Sequence, residues 1–354
     1  MFVLPPLTRA SPSITEAMLS YTNVPEEAPD AYSGITTYAE GEFCTDRSVN
    51  RFVVYESLAD GNLNHTPSSS PLWWKVAGFT FPTYDAGTTF AEDDYVLDLA
   101  THRVYQSLVD DNLGAPLSQE TVWYDAGINN RWAPFDLLRN TGATGPSPMV
   151  YTLLPGTRIN GVGLAGMVAD RFTLEIWVSG ELKWTITQAL SYRASRGWLD
   201  YFTGEFNPRA ASAVFNIPMF SGAQVKLIFE RDTGDVTVGA IFVEKAVFLG
   251  DVLESPLVSA RNFSEITRSF DGVADLVQRR SIPETSQRLV AEKYDVPNLQ
   301  RMQRELNAVP AFWSGLDDQL DEYFEPLLVV GIYLKFDLIP ELPWVMVDID
   351  LEDF

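Results

Sequence analysis

Tyr55-Glu56-Ser57-Leu58-Ala59-Asp60-Gly61-Asn62-Leu63 returns fifty positions later as Tyr105-Gln106-Ser107-Leu108-Val109-Asp110-Asp111-Asn112-Leu113. The match spreads outward from this pair. Upstream, Thr36-Thr37-Tyr38-Ala39-Glu40 corresponds to Thr88-Thr89-Phe90-Ala91-Glu92. Downstream, Pro67 and Trp74-Lys75-Val76-Ala77-Gly78 correspond to Pro116 and Trp123-Tyr124-Asp125-Ala126-Gly127. A shared order of turn residues, aromatics and a closing Trp marks a tandem duplication of one small module.

Each copy reads as a short all-β unit. Phe52-Val53-Val54-Tyr55 and Tyr95-Val96-Leu97 are strand-like, and Asp60-Gly61-Asn62 makes a turn because Asp, Gly and Asn tolerate left-handed backbone. A module this small buries little apolar surface. Two readings of its rings therefore stand: Tyr55 with Trp74 and Tyr105 with Trp123 form the cores of the two repeats, or they stand exposed as platforms for sugar faces.

The chain has 354 residues, enough for two to four domains. With 46% hydrophobic and 21% charged residues it belongs among folded proteins. Its formal charge of −23 and the absence of any basic stripe argue against nucleic acid as a partner, because phosphate contacts need clustered Lys and Arg. One cysteine, Cys44, permits no intrachain disulfide and no thiolate metal cage. His65 and His102 are each solitary and read as surface or loop residues. No secretory leader is read at Met1-Phe2-Val3-Leu4-Pro5-Pro6, and the apolar run Leu327 to Leu338 is too short to span a bilayer. No membrane insertion is expected, and synthesis in a reducing cytoplasm is.

Along the chain, residues 1–30 read as an extended N-terminal arm punctuated by Pro5, Pro6, Pro12, Pro25 and Pro29. Ser13 and Glu16 have capping-box spacing, so one short helix with Ile14, Ala17, Met18 and Tyr21 on a shared face is expected there. Phe2, Val3, Leu4 and Leu7 are apolar, and a neighbouring molecule is expected to receive them. The repeats occupy 31–79 and 80–128. A linker, 129–148, contains Asn129-Asn130-Arg131-Trp132-Ala133-Pro134-Phe135-Asp136. Arg131, Trp132 and Phe135 are candidate interface anchors, or a plug for the seam between repeats and the next domain.

From 149 to 250 the pattern has period two: Phe172, Leu174, Ile176 and Val178 alternate with Thr173, Glu175, Trp177 and Ser179, and Val225, Leu227 and Phe229 with Lys226, Ile228 and Glu230. An antiparallel β-sandwich is expected, with a hairpin turn at Glu230 to Asp235. In 251–354, Val296, Leu299, Met302 and Leu306 have helical spacing between Pro297 and Pro310, and two strands follow. In the second, Val345, Val347, Ile349 and Leu351 face a core. Asp348, Asp350 and Glu352 read as a solvated face or an edge guard. The fold class expected is mainly β: two small tandem β modules, a sandwich and a C-terminal α+β domain.

Several of these segments together resemble a family of tailed-bacteriophage virion proteins encoded among tail genes. The resemblance rests on Thr88 to Trp123 and on Asn130 to Asp136, with Pro134 where the family more often has Met. It extends to Trp198, Tyr201-Phe202, Ile217-Pro218 and Gly234-x-Val236-x-x-Gly239-x-Ile241-x-Val243, with Glu244 where glycine is common. At the C-terminal end it rests on Phe263-Ser264, Arg279, Pro310-Ala311-Phe312-Trp313 and Gly331 to Phe336; Ser269-Phe270-Asp271-Gly272 matches the family's turn loosely. The repeats are also similar to the chitin-binding-type modules appended to glycoside hydrolases. The resemblance implies a structural tail protein of the virion, assembled with other tail proteins and copies of itself, with binding of host surface glycan as the alternative.

No catalytic, cofactor or metal residue is carried over. Asp93-Asp94, Asp110-Asp111 and Asp317-Asp318 are carboxylate pairs of the sort that 48 Asp and Glu produce by chance. No nucleophile elbow, phosphate loop or His-Glu-x-x-His helix occurs, and Asp60 to Asn64 lacks the closing Glu of a calcium loop. The expectation is a protein without enzymatic activity and without a cofactor.

Overall fold

The alternating runs become strands, and the chain builds several antiparallel sheets. The computed structural model describes residues 1–354 except 48–50, 139–140, 193–196, 205, 254, 269, 272–273, 319–320, 322 and 354. Ser269 and Gly272 of the loosely matched turn lie outside the described residues.

Each repeat is a three-stranded meander plus a two-residue ladder. In the first, Phe52–Ser57 lies between Phe43–Asp46 and Trp74–Thr80; in the second, Arg103–Ser107 lies between Tyr95–Asp98 and Trp123–Ile128. Both meanders shift register at the same place, between Val54 and Tyr55 and between Val104 and Tyr105. The bulge explains the repeated Ala-Gly: Gly78 and Gly127 adopt φ of 152° and 106°, which L side chains rarely reach.

The sandwich opposes two sheets. A five-stranded sheet runs Glu181–Ala189, Arg171–Val178, Gln224–Glu230, Met149–Leu153, Leu19–Thr22. A three-stranded sheet runs Ala211–Val214, Gly161–Ala165, Ala240–Glu244. Phe172, Leu174, Ile176, Val225, Leu227 and Phe229 all face the core between them, as their alternation requires. The expected hairpin at Glu230 to Asp235 is corrected: Val236–Val238 pairs with Ala143–Gly145 instead of folding back on Gln224–Glu230. The turn carries the chain to another sheet, because Val236 and Val238 complete the inter-sheet core.

The three-stranded sheet is buried on both faces. Its second face meets the C-terminal sheet, where Phe242 lies 6.0 Å from the ring of Phe312. Close approach there requires glycine: a Cβ on Gly163 would sit 2.7 Å from the Phe312 ring, and one on Gly161 2.6 Å from Leu4. The sandwich and the domain expected at 251–354 thus share one interior, and a boundary at 250 passes through it. The C-terminal sheet pairs Leu328–Glu341 with Trp344–Asp353, and the latter with Ser281–Glu292. Helix Val296–Glu305 covers its far face through Leu299 and Met302, and Leu306 at the helix end joins that core.

Trp344–Asp353 has a partner on each side, so its acidic residues do not guard an edge. Arg288 donates to Asp348 at 2.7 Å, and Lys335 lies 3.7 Å away; Arg261 lies 3.6 Å from Glu352. The hydrogen bond from Arg288 holds the Asp348 carboxyl below its ordinary range. Two carboxylates of this face, Asp348 and Glu352, are thus balanced by cations of other strands, which favours a central position for the strand.

The largest correction concerns residues 1–30. Phe2–Leu4 is a strand between Val247–Phe248 and Ala311–Ser314, so the chain receives its own apolar start. Val3 points into the core under the helix, and Leu4 into the core shared with the sandwich. The expected helix is a single turn at residues 15–19, closed by Met18 N–H donating to the Thr15 carbonyl, before Leu19–Thr22 joins the five-stranded sheet. Pairing with Met149–Leu153 outcompetes helical propensity there. Leu4→Ala should lower the stability of the isolated chain by about 2–5 kcal/mol, read from urea unfolding. An unchanged midpoint would return these residues to a neighbour.

Candidate functional site at the seam of repeats and sandwich

The duplicated motif is explained by bonds inside each repeat. Ser57 Oγ donates to the Ala59 carbonyl at 3.0 Å and accepts from Asn62 Nδ2 at 3.0 Å. Ser107 does the same with Val109 at 2.9 Å and Asn112 at 3.0 Å. Asp60 and Asp110 accept from the backbone N–H of Glu40 and Glu92, each at 3.0 Å. The recurring Asp, Ser and Asn are therefore the skeleton of the turn, and both Asn side chains lie buried.

The rings behave alike. Trp74 is 3% and Trp123 2% exposed, too little to offer a face to a sugar. Trp74 sits edge-on to Tyr38 at 5.0 Å and Trp123 edge-on to Phe90 at 5.6 Å, the geometry aromatic pairs prefer. Each indole N–H is also satisfied, by the His65 carbonyl at 2.8 Å and the Ala115 carbonyl at 3.1 Å. Tyr55 and Tyr105 are half-buried against the same clusters. All four rings are placed in repeat cores. Cys44 completes the first core at the position Val96 takes in the second, and burial pushes its thiol up to about 12.

Arg131, Trp132 and Phe135 converge on the seam. Trp132 and Phe135 are buried in the sandwich core. Short 3-10 geometry at Ala133–Phe135 turns both rings inward, with Pro134 in its first turn. Tyr151 packs edge-on to Phe135 at 5.6 Å and donates its hydroxyl proton to the Arg131 carbonyl at 3.3 Å. Burial drives the Tyr151 hydroxyl far above its ordinary range, so it stays a donor. Asp136 accepts from Leu138 N–H at 2.8 Å and Thr141 at 2.5 Å, while burial raises its carboxyl.

Sequence reasoning missed the group at the centre, Glu26. Its Oε1 accepts from Asn129 Nδ2 at 2.6 Å and Trp132 Nε1 at 3.0 Å, and lies 2.8 Å from His102 Nδ1. Arg131 Nε lies 3.9 Å from Oε2. His102 stacks on Trp132 at 4.2 Å and holds a φ of 59°, which lets its carbonyl accept from Asn129 N–H at 2.8 Å. The reading of His102 as a surface histidine is corrected: it is buried at the seam. His65 is half-buried, stacked on Trp73 at 4.0 Å. No sequence spacing pointed to Glu26 and His102 as partners, because they lie 76 positions apart.

This cluster joins an arm residue, a repeat-2 loop and the linker around one carboxylate. The donors of Asn129, Trp132 and His102 converge on Glu26 Oε1, and the imidazole face is covered by indole. The chemistry is that of a fastening. Among the described residues no group of three His, Cys, Asp or Glu side chains is placed to hold a metal ion, and no helix is long and apolar enough to cross a membrane. A cleft of about 510 Å³ opens beside the seam, between the first repeat and the sandwich edge. No family model, curated protein or solved structure matches the chain.

Glu26→Ala strands three donors in a water-poor seam, and should cost about 3 kcal/mol. Glu27→Ala, its exposed neighbour, should change stability by less than about 0.5 kcal/mol. Urea unfolding checks both, and equal midpoints for the two variants would remove Glu26 from the centre of the seam. In the folded chain Cys44 should resist a thiol reagent, because a buried neutral thiol is a poor nucleophile. Labelling at the rate of a free thiol would show the first repeat's core to be open.

Proposed function

We propose that this chain is a structural component of a bacteriophage tail, carried in several copies in the virion and acting in tail assembly. The observation that carries the reading is a set of exposed strands in the C-terminal domain. Leu257–Asn262 pairs on one side with Ser281–Glu292, and Glu265–Arg268 pairs with Ala274–Val277 beyond it. Every residue of these three shorter strands is exposed. They nevertheless carry Leu257, Val258, Ile266, Leu276 and Val277, with Ile266 at 62% and Leu276 at 68% exposure. Apolar side chains gathered on an exposed segment mark a contact surface.

The segment differs from its body in charge as well. Residues 255–280 hold four arginines and three carboxylates, leaving the others with 21 Lys and Arg against 45 Asp and Glu. A slightly basic, apolar arm on an acidic body is complementary to the body of a second copy. Repeated round a tail axis, that contact closes into a ring. The resemblance to tail proteins supplies the setting. No catalysis, cofactor or nucleic-acid partner belongs to this reading.

Mass spectrometry of purified virions should find the chain at a fixed number of copies per particle. Ile266→Ser with Leu276→Ser should leave the isolated chain folded and reduce incorporation at least about tenfold, by loss of buried apolar contact. Virions that lack the wild-type chain, or that take up the double variant normally, would refute the proposal.

A further inference from the structure

We infer that the cleft between the first repeat and the sandwich is a binding site for a short uncharged oligosaccharide. The cleft, at about 510 Å³, is of the size that ligand sites have. Two rings line it, Phe43 from the first repeat and Tyr21 from the sandwich's outer strand. They are 48% and 56% exposed, and among the described residues neither takes part in a ring contact. These are the open aromatic faces that the buried Trp74 and Trp123 do not offer. The C–H face of a pyranose covers such a ring, burying apolar area while its hydroxyls stay at the edge.

The polar groups of the cleft suit hydroxyls. Glu27, Glu56 and Lys75 line it, and Lys75 is paired with Glu56 at 3.0 Å. Arg131 also lines it, its charge directed at Glu26 and its Nε without a hydrogen-bond partner. Both cations are thus balanced by carboxylates of the protein. A phosphate or an acidic sugar would meet no surplus positive charge, on a chain of net charge −23. Carboxylates and an ammonium group instead accept from and donate to neutral hydroxyls. An extended peptide fits less well. Pro25, Pro29, Pro146 and Pro148 form part of the wall, and four backbone nitrogens there have no proton to donate.

The second repeat sharpens the assignment, because the same fold lacks the same surface. Tyr95 stands where Phe43 stands, yet its ring packs on Phe81 at 5.5 Å. Tyr124 replaces Lys75, and Asp125 replaces Val76 and is held by Arg103 at 2.8 Å. The two repeats keep one core and differ on this face, so a single site per chain is assigned, in the first repeat.

The test uses the full chain on a glycan array bearing β-linked glucose and N-acetylglucosamine oligomers beside sialylated ones, followed by calorimetric titration with cellotriose and chitotriose. The expected result is binding to the uncharged oligomers alone. Phe43→Ala and Tyr21→Ala should each weaken it at least about fivefold. Tyr124→Ala, on the second repeat, should leave it unchanged. Urea midpoints check that each variant is folded, and two independent ring variants guard against the loss of one. No binding to uncharged oligomers overturns the assignment, as does a preference for the sialylated ones. Undiminished binding by both ring variants does the same, and so does displacement of the sugar by a proline-rich peptide. The assignment is independent of tail assembly: incorporation into virions is read on Ile266 and Leu276, which take no part in the cleft.

Discussion

One carboxylate fixes how the modules of this chain sit on one another. Glu26 accepts hydrogen bonds from Asn129 and Trp132 and faces His102 and Arg131, so an arm, a repeat and a linker meet in a single group. A charge out of bulk water is tolerated only when several donors surround it, and that requirement sets the geometry of everyone it touches. Trp132 must present its indole N–H, which turns its ring under His102 and into the sandwich core. His102 must adopt left-handed backbone to reach inward while its carbonyl takes the Asn129 N–H. The backbone participates too, since Thr80 at the end of the first repeat donates its hydroxyl proton to the Glu26 carbonyl.

The segment that carries Glu26 ties the chain together at several further points. Val3 and Leu4 lie on opposite faces of one short strand and enter two different cores. Leu19–Thr22 supplies the outer strand of the sandwich, and Ala31 bridges to Thr45 in the first repeat. Each contact is small, and a three-residue strand would be marginal alone. Their sum holds because every one is made by the same continuous stretch, so ordering one contact reduces the entropy lost in forming the next.

Local pattern was readable wherever a single period decided it. The alternation at Phe172 to Val178 and Val225 to Phe229, the helix through Leu306 and the duplicated motif all describe neighbours a few residues apart. The mainly β architecture followed from these. What was not readable depended on distant partners. Residues 1–30 look unsupported because their partners begin more than 100 positions away, at Met149–Leu153, Val247–Phe248 and Ala311–Ser314. The acidic face of Trp344–Asp353 looks like an edge because Arg288 and Arg261 lie on other strands. Solitary His102 looks superficial for the same reason. The positive φ of Gly78 and the close packing of Gly163 are likewise invisible until the opposing backbone or ring is known.

Duplication gives a further way to separate scaffold from function within one sequence. Two copies of a module share whatever their folding demands, and here that set is Ser57 with Ser107, Asn62 with Asn112, Asp60 with Asp110, and Trp74 with Trp123. All of these are spent inside their own repeat. The resemblance between copies was the strongest signal in the sequence, and its shared residues sit in the turn and core of each repeat. Where the copies part, folding has released its hold: Phe43 against Tyr95, Lys75 against Tyr124, Val76 against Asp125. Phe43, Glu56 and Lys75 form one cross-strand row of the first meander, and all three line the seam cleft. The same row of the second meander reads Tyr95, Gln106 and Tyr124, so the copies differ there in charge while Trp74 and Trp123 stay buried alike.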